Sequence, residues 1–194
     1  MRQYLRNENL DLKDLINIGV FSTLFFFVSF ICGNVFGVFV ITLWTIPFFS
    51  GIFTGPVTIF FLSKIRKKWA TFLYALSPVV LSLFMGNTFI VFFHALFLSL
   101  FAEYIKRRFY SPSGKENIYC HIIITLCRVG WFLQLIVLKD QIYEKYLVMM
   151  GEDYANSIIS FPDWAIIIIY FLAALGGYIG GKIGMKLFKN KLTN

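Results

Sequence analysis

Residues 122–138 read IIITLCRVGWFLQLIVL, and this stretch decides the fold because it is apolar enough to enter a membrane yet carries an arginine. About 20 largely apolar residues suffice to cross a bilayer, so residues 117–139 are predicted to form a transmembrane helix. Arg128 lies near the middle of this helix. A charge at that depth costs about a few kcal/mol on insertion scales, so Arg128 is expected to face the bundle interior or a water-filled cavity.

The role of Arg128 has two interpretations, and the sequence leaves both open. Trp131 follows at i+3 on the same face of the helix, and Gln134 extends a broad polar stripe beyond it. In the functional interpretation these side chains belong to a pocket for a polar or anionic ligand. In the structural interpretation Arg128 is buried and pairs with a carboxylate or with a helix carbonyl.

The chain as a whole has the composition of an integral membrane protein. Of its 194 residues, 58% are hydrophobic and only 14% are charged, and the mean hydropathy is +0.73. Soluble domains carry about 25% charged residues. The apolar runs are continuous, so we predict an all-α, polytopic protein with one membrane domain over residues 1–194, rather than a β-barrel of short alternating segments.

The apolar runs predict six transmembrane helices, with a tight turn at Gly33-Asn34 after the first. The second run would measure about 43 Å as a straight helix, which is too long for one crossing. Pro47 and Pro56 interrupt it, so this helix is expected to be broken and to line a cavity. The predicted spans are residues 14–32, 35–63, 69–85, 88–105, 117–139 and 164–187, with a long outer loop at 140–163.

The basic residues are distributed unevenly, and this predicts the orientation of the chain. Of the 18 lysines and arginines, 15 fall in the N-terminal head, after the second span, around the loop between spans four and five, and in the C-terminal tail. Cytoplasmic loops are enriched in Lys and Arg, so both termini are predicted to be cytoplasmic. This pattern accounts for the net charge of +8, and no nucleic-acid partner is expected.

Small residues recur at helical spacing in the first and last spans. Gly176, Gly180 and Gly184 share one face of the last span, which lets another helix approach closely, either inside the bundle or from another subunit. In the first span, Gly19 and Thr23 form a small patch among phenylalanines. This patch is a candidate docking surface for a partner helix, and packing inside the bundle is the alternative.

No pattern in the sequence indicates an enzyme or a metal centre. The chain shows no nucleophile–base pair, no metal-binding spacing of cysteines or histidines, and no paired carboxylates within a span. We therefore predict no catalytic residue, no metal ligand and no cofactor. His94, in the outer half of the fourth span, is a candidate for ligand contact, proton relay or haem ligation, with a structural hydrogen bond as the alternative.

Three parts of the chain resemble one known family. They are LKDLINIGVF (residues 12–21), GEDYAN (residues 151–156), and Pro162-Asp163-Trp164 followed by the glycine-rich last span. These parts are similar to the Trep_Strep (MptD-like) family, whose members are regarded as substrate-binding S components of energy-coupling factor (ECF) transporters. An arginine in the fifth span is not part of this resemblance, so the role of Arg128 is inferred from the residues alone.

The resemblance implies a bacterial plasma-membrane protein with the six-helix bundle of an S component. Such proteins capture a micronutrient outside the cell and deliver it to a module of one membrane T subunit and two ATPases. Small residues on the first helix face the T subunit, and Gly19 and Thr23 occupy similar positions here. The substrate site lies outward, among the last three helices and the outer loops. In this chain those regions supply six candidate substrate-binding residues: Asn87, His94, Arg128, Trp131, Gln134 and Trp164.

We therefore expect an S component that binds a vitamin-like small molecule. Arg128 indicates an anionic group on this substrate, and Trp131 and Trp164 indicate a flat ring. A haem or another porphyrin is a variant of this expectation, which His94 and the outer-loop methionines would serve. The alternative is a non-transport membrane scaffold or partner-binding protein in which Arg128 is paired internally.

Overall fold

The computed structural model describes residues 9–109, 111 and 113–192, and these residues form helices and turns but no β-strand. This confirms the all-α prediction. Two 3₁₀ turns, Cys127–Val129 and Asp163–Ala165, interrupt or precede longer helices. The helices are α1 (Leu12–Phe36), α2 (Val40–Leu43), α3 (Ile46–Lys64), α4 (Ala70–Leu83), α5 (Phe89–Arg108), α6 (Glu116–Leu126), α7 (Gly130–Val137), α8 (Lys139–Met150), α9 (Glu152–Ile159) and α10 (Ile166–Leu192).

Within the described residues, five helical segments are long and apolar enough to cross a membrane, as expected of a multi-pass membrane protein. In place of the third predicted span, α4 is apolar but has only 14 residues, or about 21 Å. The part of the chain that the structure describes thus contains five candidate spans and one short apolar helix, where the sequence predicts six spans. The five segments are Leu12–Phe36, Ile46–Lys64, Phe89–Arg108, Glu116–Val137 and Asp163–Phe188.

The break expected in the second span lies earlier in the chain than the prolines. α1 continues through the expected Gly33-Asn34 turn, and the Asn34 side-chain amide donates a hydrogen bond back to the carbonyl of Phe30 (2.8 Å). Residues 37–45 then interrupt the helix, with α2 as a single turn inside them. α3 runs past Pro56 without ending, since neighbouring helices can shield the freed backbone groups.

α3 and α10 pack with their backbones in direct contact, because glycines face each other along both helices. A Cβ at Gly51 would lie 2.6 Å from the backbone nitrogen of Gly177. A Cβ at Gly55 or at Gly180 would likewise clash with the backbone of the facing helix. Gly184 continues the same row against α3. The glycine row of α10 therefore packs inside the bundle, where small residues let membrane helices approach closely.

One end of the bundle, which we call the basic end, holds buried charges in pairs. It carries the basic clusters 64–68 and 106–108. Lys106 and Glu116 are 3% and 2% exposed, and their side chains form an ion pair at 3.2 Å. Glu103 pairs with Arg107 at 2.8 Å, and it also accepts a hydrogen bond from the backbone N–H of Trp69 (2.8 Å), just before α4. Each of these buried carboxylates is therefore compensated, which is the condition under which buried charge is tolerated.

Candidate ligand-binding cavity

A cavity of about 460 Å³ lies at the opposite end of the bundle, which we call the cavity end. Its walls come from α1, the beginning of α3, α4, α5, and the region where α6 gives way to α7. Two helices beyond the fifth predicted span, α8 and α9, also line it. Small-molecule sites in proteins measure about 300–1,000 Å³, so the cavity has the size of a binding site.

Arg128 lines this cavity from the 3₁₀ turn Cys127–Val129, which interrupts the fifth predicted span. Within the part of the chain that the structure describes, its guanidinium has no hydrogen-bond or ion-pair partner. The carboxylate or carbonyl that the structural interpretation requires is thus not found among these residues. Because a lone arginine is costly at membrane depth, and because 3₁₀ turns within helices often mark functional positions, Arg128 is the leading candidate for ligand contact.

The charged side chains around the cavity are positive. Lys145 on α8 is the second cation in the lining, and no described residue of the lining is Asp or Glu. The ammonium group of Lys145 donates a hydrogen bond to the carbonyl of Gly86 (3.2 Å), in the turn after α4. Two cations without a carboxylate produce a field that favours an anionic ligand over a neutral or cationic one.

Most of the remaining cavity wall is aromatic or apolar. The ring of Trp131 packs edge-on against that of Phe132, with 4.9 Å between centroids, and both rings line the cavity. Two phenylalanines of α1 also line it. Such a wall suits a flat or apolar ligand body, with the charged groups fixing its orientation. The large aromatic and thioether side chains in this wall include Phe26, Phe30, Met85, Trp131, Phe132, Met149 and Met150.

Three of the six predicted substrate-binding residues, Asn87, Arg128 and Trp131, line this cavity together. Gln134 lies behind the lining and holds the turn that carries Asn87. Its amide nitrogen donates to Oδ1 of Asn87 (3.3 Å), and its Oε1 accepts a hydrogen bond from the backbone N–H of Thr88 (3.3 Å). The structure therefore places Gln134 as a support for a lining residue rather than in the lining itself.

The other two predicted residues, His94 and Trp164, lie outside the lining. Nε2 of His94 is 2.7 Å from the hydroxyl of Tyr170, so this histidine bridges α5 and α10. Its Nδ1 faces Gly130, where a Cβ would approach to 2.8 Å. Trp164 is 64% exposed before α10 begins. The porphyrin variant thus has no histidine in the cavity lining.

α8 and α9 form a lid over the cavity. The hydroxyl of Tyr154 donates a hydrogen bond to the carbonyl of Gly37 (2.8 Å), at the break after α1. Gly151 joins the two lid helices with a φ of 87°, a conformation that glycine adopts without strain. Burial raises the pKa of Tyr146 to about 12 and also raises the pKa of Tyr154. Both lid tyrosines, which line the cavity, are therefore neutral hydrogen-bond donors at neutral pH.

Sequence reasoning missed the lid residues Lys145, Tyr146 and Tyr154, because residues 140–163 were interpreted as a loop. A signal was present in α9, where Tyr154, Ala155, Ile158 and Ile159 fall on one helical face. The polar residues around this face concealed it. A test for amphipathic helices in the long outer loop would have found α9 and with it Tyr154.

The patch formed by Gly19 and Thr23 lies on the open side of α1. Both residues are exposed, and a Cβ at Gly19 would meet no atom within 4 Å. The neighbouring side chains of Ile16 and Val20 are each 59% exposed. Within the described residues no helix of this chain covers the patch, so it is available to lipid or to a partner helix.

The fold and cavity together define a polytopic α-helical membrane protein. The chain belongs to the family described as hypothetical bacterial integral membrane protein (Trep_Strep), whose sequence profile matches residues 12–192. The predicted family and the predicted location in a bacterial membrane are thereby confirmed. No curated protein and no solved structure matches the chain significantly.

Proposed function

We propose that this protein is the S component of an ECF-type importer, which binds a small organic anion outside the cell and delivers it to a T subunit and two ATPases. The observation that supports this most strongly is Arg128, a cation without a partner among the described residues, in the wall of a cavity of about 460 Å³. A purely structural arginine at this depth is expected to be paired. A bound anion supplies the missing partner, through charge-assisted hydrogen bonds of about 1.5–3 kcal/mol each.

The open side of α1 supports the second half of the proposal, which is docking to a T subunit. Gly19 and Thr23 leave a shallow, uncovered patch there. Small residues allow the backbone of a partner helix to approach closely, which is how many membrane helices associate. In S components, which the chain resembles, small residues on the same part of the first helix face the T subunit.

The proposed orientation follows from the two ends of the bundle. The basic end carries the loops rich in Lys and Arg, so we assign it to the cytoplasm together with both termini. The cavity end then faces outside, where a nutrient is captured. α4 is assigned as the sixth crossing, although it has only 14 residues.

Co-purification with the rest of the importer tests this proposal. The tagged protein is co-expressed with the T subunit and two ATPases of its host and captured in mild detergent, and stoichiometric recovery of all partners is expected. Gly19→Trp should abolish recovery, because an indole fills the shallow patch. Leu187→Trp, which adds the same ring to an exposed position of α10 (64% exposed), is the control and should leave recovery intact.

Each outcome distinguishes between hypotheses. If the folded, monodisperse wild-type protein captures no partner, the S-component proposal fails and the scaffold alternative takes its place. If capture occurs but survives Gly19→Trp, the protein is an S component that docks through another face.

A further inference from the structure

The lining of the cavity supports a more specific inference, which rests on the proposed S-component function. We propose that the substrate carries acidic groups at both ends of an apolar, ring-containing body. Arg128 binds one acidic group within the membrane, and Lys145 binds the other at the lid.

The two cations reach the cavity from separate parts of the fold. Arg128 belongs to the turn Cys127–Val129 inside the fifth predicted span, whereas Lys145 lies on lid helix α8. Both line the cavity, and its described lining contains no carboxylate to neutralise either of them. A ligand with one acidic group leaves one cation without a counter-charge. A ligand with two acidic groups forms a charge-assisted hydrogen bond with each cation.

Lys145 has a partner that a ligand can replace. Among the described residues its ammonium donates one hydrogen bond, to the neutral carbonyl of Gly86 at 3.2 Å, and it has further donors to offer. A hydrogen bond to a carboxylate or phosphate is roughly twice as strong as one to a neutral acceptor. The outer acidic group of the ligand therefore competes well for Lys145, and this contact closes the lid on a filled cavity.

The apolar part of the lining suits the body of such a ligand. Trp131 follows Arg128 by three residues in the chain, and its ring approaches that of Tyr146 on the lid, with 6.5 Å between ring centroids. Met149 and Met150 follow on the same lid helix, and all four line the cavity. Aromatic faces and flexible thioethers pack well on a planar ring.

Binding of four simple probes to the purified protein tests this inference. They are a naphthalene dicarboxylate, a longer biphenyl dicarboxylate, naphthoate and the uncharged naphthamide, each titrated calorimetrically in the same detergent. One charge-assisted hydrogen bond changes affinity by about tenfold or more. We expect at least one dicarboxylate to bind about tenfold tighter than naphthoate, and naphthoate to bind about tenfold tighter than naphthamide.

Two variants assign the contacts. Lys145→Gln should reduce the affinity for the dicarboxylate to that for naphthoate, about tenfold, and leave naphthoate unchanged. Arg128→Gln should weaken naphthoate and the dicarboxylate alike. The control is Lys139→Gln, on the same lid helix, because Lys139 pairs with Asp163 at 2.7 Å and does not line the cavity. It should leave all affinities unchanged.

The inference is overturned if neither dicarboxylate binds, if dicarboxylates and naphthoate bind equally, or if Lys139→Gln and Lys145→Gln weaken binding equally. These failures are separable from failure of the S-component proposal. Arg128→Gln and Lys145→Gln should still co-purify with the T subunit and ATPases, since both residues line the cavity and Gly19 does not. Retained co-purification with failed probe binding overturns only the two-acid ligand.

Discussion

At the basic end of the bundle, Nζ of Lys106 lies 3.2 Å from Oε1 of Glu116, and both side chains are almost fully buried. Nε of Arg107 lies 2.8 Å from Oε1 of Glu103 at the same end. At the cavity end, Arg128 has no such partner among the residues that the structure describes. Among the described residues, a carboxylate is thus present where a buried cation holds helices together, and none is present where Arg128 faces the cavity. This difference supports the proposal that Arg128 binds an acidic group supplied by a ligand.

If the two ends of the bundle face opposite sides of the membrane, a cysteine at each end should be accessible from one side only. Labelling in intact cells tests this with an all-or-none result. Ser157→Cys, on lid helix α9, should react with a membrane-impermeant maleimide in intact cells. Ser113→Cys, near the basic end, should react only after the cells are opened. Both serines are exposed, and the native cysteines are buried, so the wild-type protein should label weakly. Reversed labelling would place the cavity on the cytoplasmic side.

The largest change in stability is expected at the basic end. Glu116→Ala leaves Lys106 buried without its ion-pair partner, which should lower the free energy of unfolding by about 3–5 kcal/mol. Unfolding of the purified protein in detergent measures this change. Glu144→Ala, which removes an exposed carboxylate from α8, is the control and should stay within about 0.5 kcal/mol of wild type. A loss below about 1 kcal/mol in Glu116→Ala would remove the contrast between the two ends.

The corresponding change at the cavity end should not destabilise the protein. Arg128→Gln removes an uncompensated charge, so the free energy of unfolding of the ligand-free protein should rise, by up to about 2 kcal/mol, or stay unchanged. The same unfolding measurement applies. A loss as large as that of Glu116→Ala would instead make Arg128 a structural residue and end its role as a ligand contact.

A smaller effect is expected at the lid. Tyr154→Phe removes the hydrogen bond to the carbonyl of Gly37 (2.8 Å), which should destabilise the closed lid by about 1 kcal/mol. Amide hydrogen exchange in α9 should then be about fivefold faster in the ligand-free protein. Tyr143→Phe, on α8 and outside the cavity lining, should leave this exchange unchanged. Equal exchange in wild type and Tyr154→Phe would show that other contacts hold the lid.

The smallest effect concerns exposed charges at the basic end. The backbone N–H of Asp14, followed by Lys67, lowers the pKa of Asp11 below its ordinary 3.8, and Asp14, followed by Asp11, raises the pKa of Lys67 above 10.5. A lowered carboxyl pKa gives stability that is present above pH 3.8 and lost as the pH falls through the lowered value. A raised lysine pKa gives stability that is present below pH 10.5 and lost as the pH rises through the raised value.

Melting temperatures across the pH range check this prediction. Asp11→Asn keeps a side chain that can cap α1 but removes the charge, so the variant should melt slightly below wild type at neutral pH. The difference should vanish in acid, where Asp11 of the wild type is itself protonated. A difference that persists below the lowered pKa of Asp11 would show that charge is not its source. The effect is small because solvent screens exposed ion pairs.

Part of the candidate site was predictable from the sequence. A mid-span charge has few places to lie, so the energetic cost of Arg128 already indicated a cavity or the bundle interior. Trp131 followed from helical spacing, and three positions of the glycine row in α10 followed from the same rule. Asn87 entered only through the resemblance to a family, since nothing in its own surroundings distinguishes it.

The remaining site residues depend on features that one sequence does not reveal. A 3₁₀ turn has about 3.0 residues per turn instead of 3.6, so the turn at Cys127–Val129 rotates everything after it relative to a continuous helix. Gln134 lies behind the lining because its side-chain amide bonds to Asn87 and to the backbone N–H of Thr88. The helical position of His94 was compatible with ligand contact, but its side chain bonds to the hydroxyl of Tyr170 on α10 instead of lining the cavity. The helices of the lid escaped prediction because they are short and rich in polar residues, although the resemblance already implied that outer loops border the site.

The 14 residues of α4 cover about 21 Å, about 9 Å less than the hydrocarbon core of a bilayer. α1, beside it, has 25 residues and covers about 37 Å. On the six-crossing topology, the protein is therefore thin on one flank, and such hydrophobic mismatch costs fractions of a kcal/mol per Å. Either the bilayer becomes thinner beside α4, or the whole bundle tilts towards that side. The tilt of the bundle relative to the membrane normal should therefore depend on the length of the lipid acyl chains. Short-chain lipids should keep the bundle upright, and long-chain lipids should tilt it.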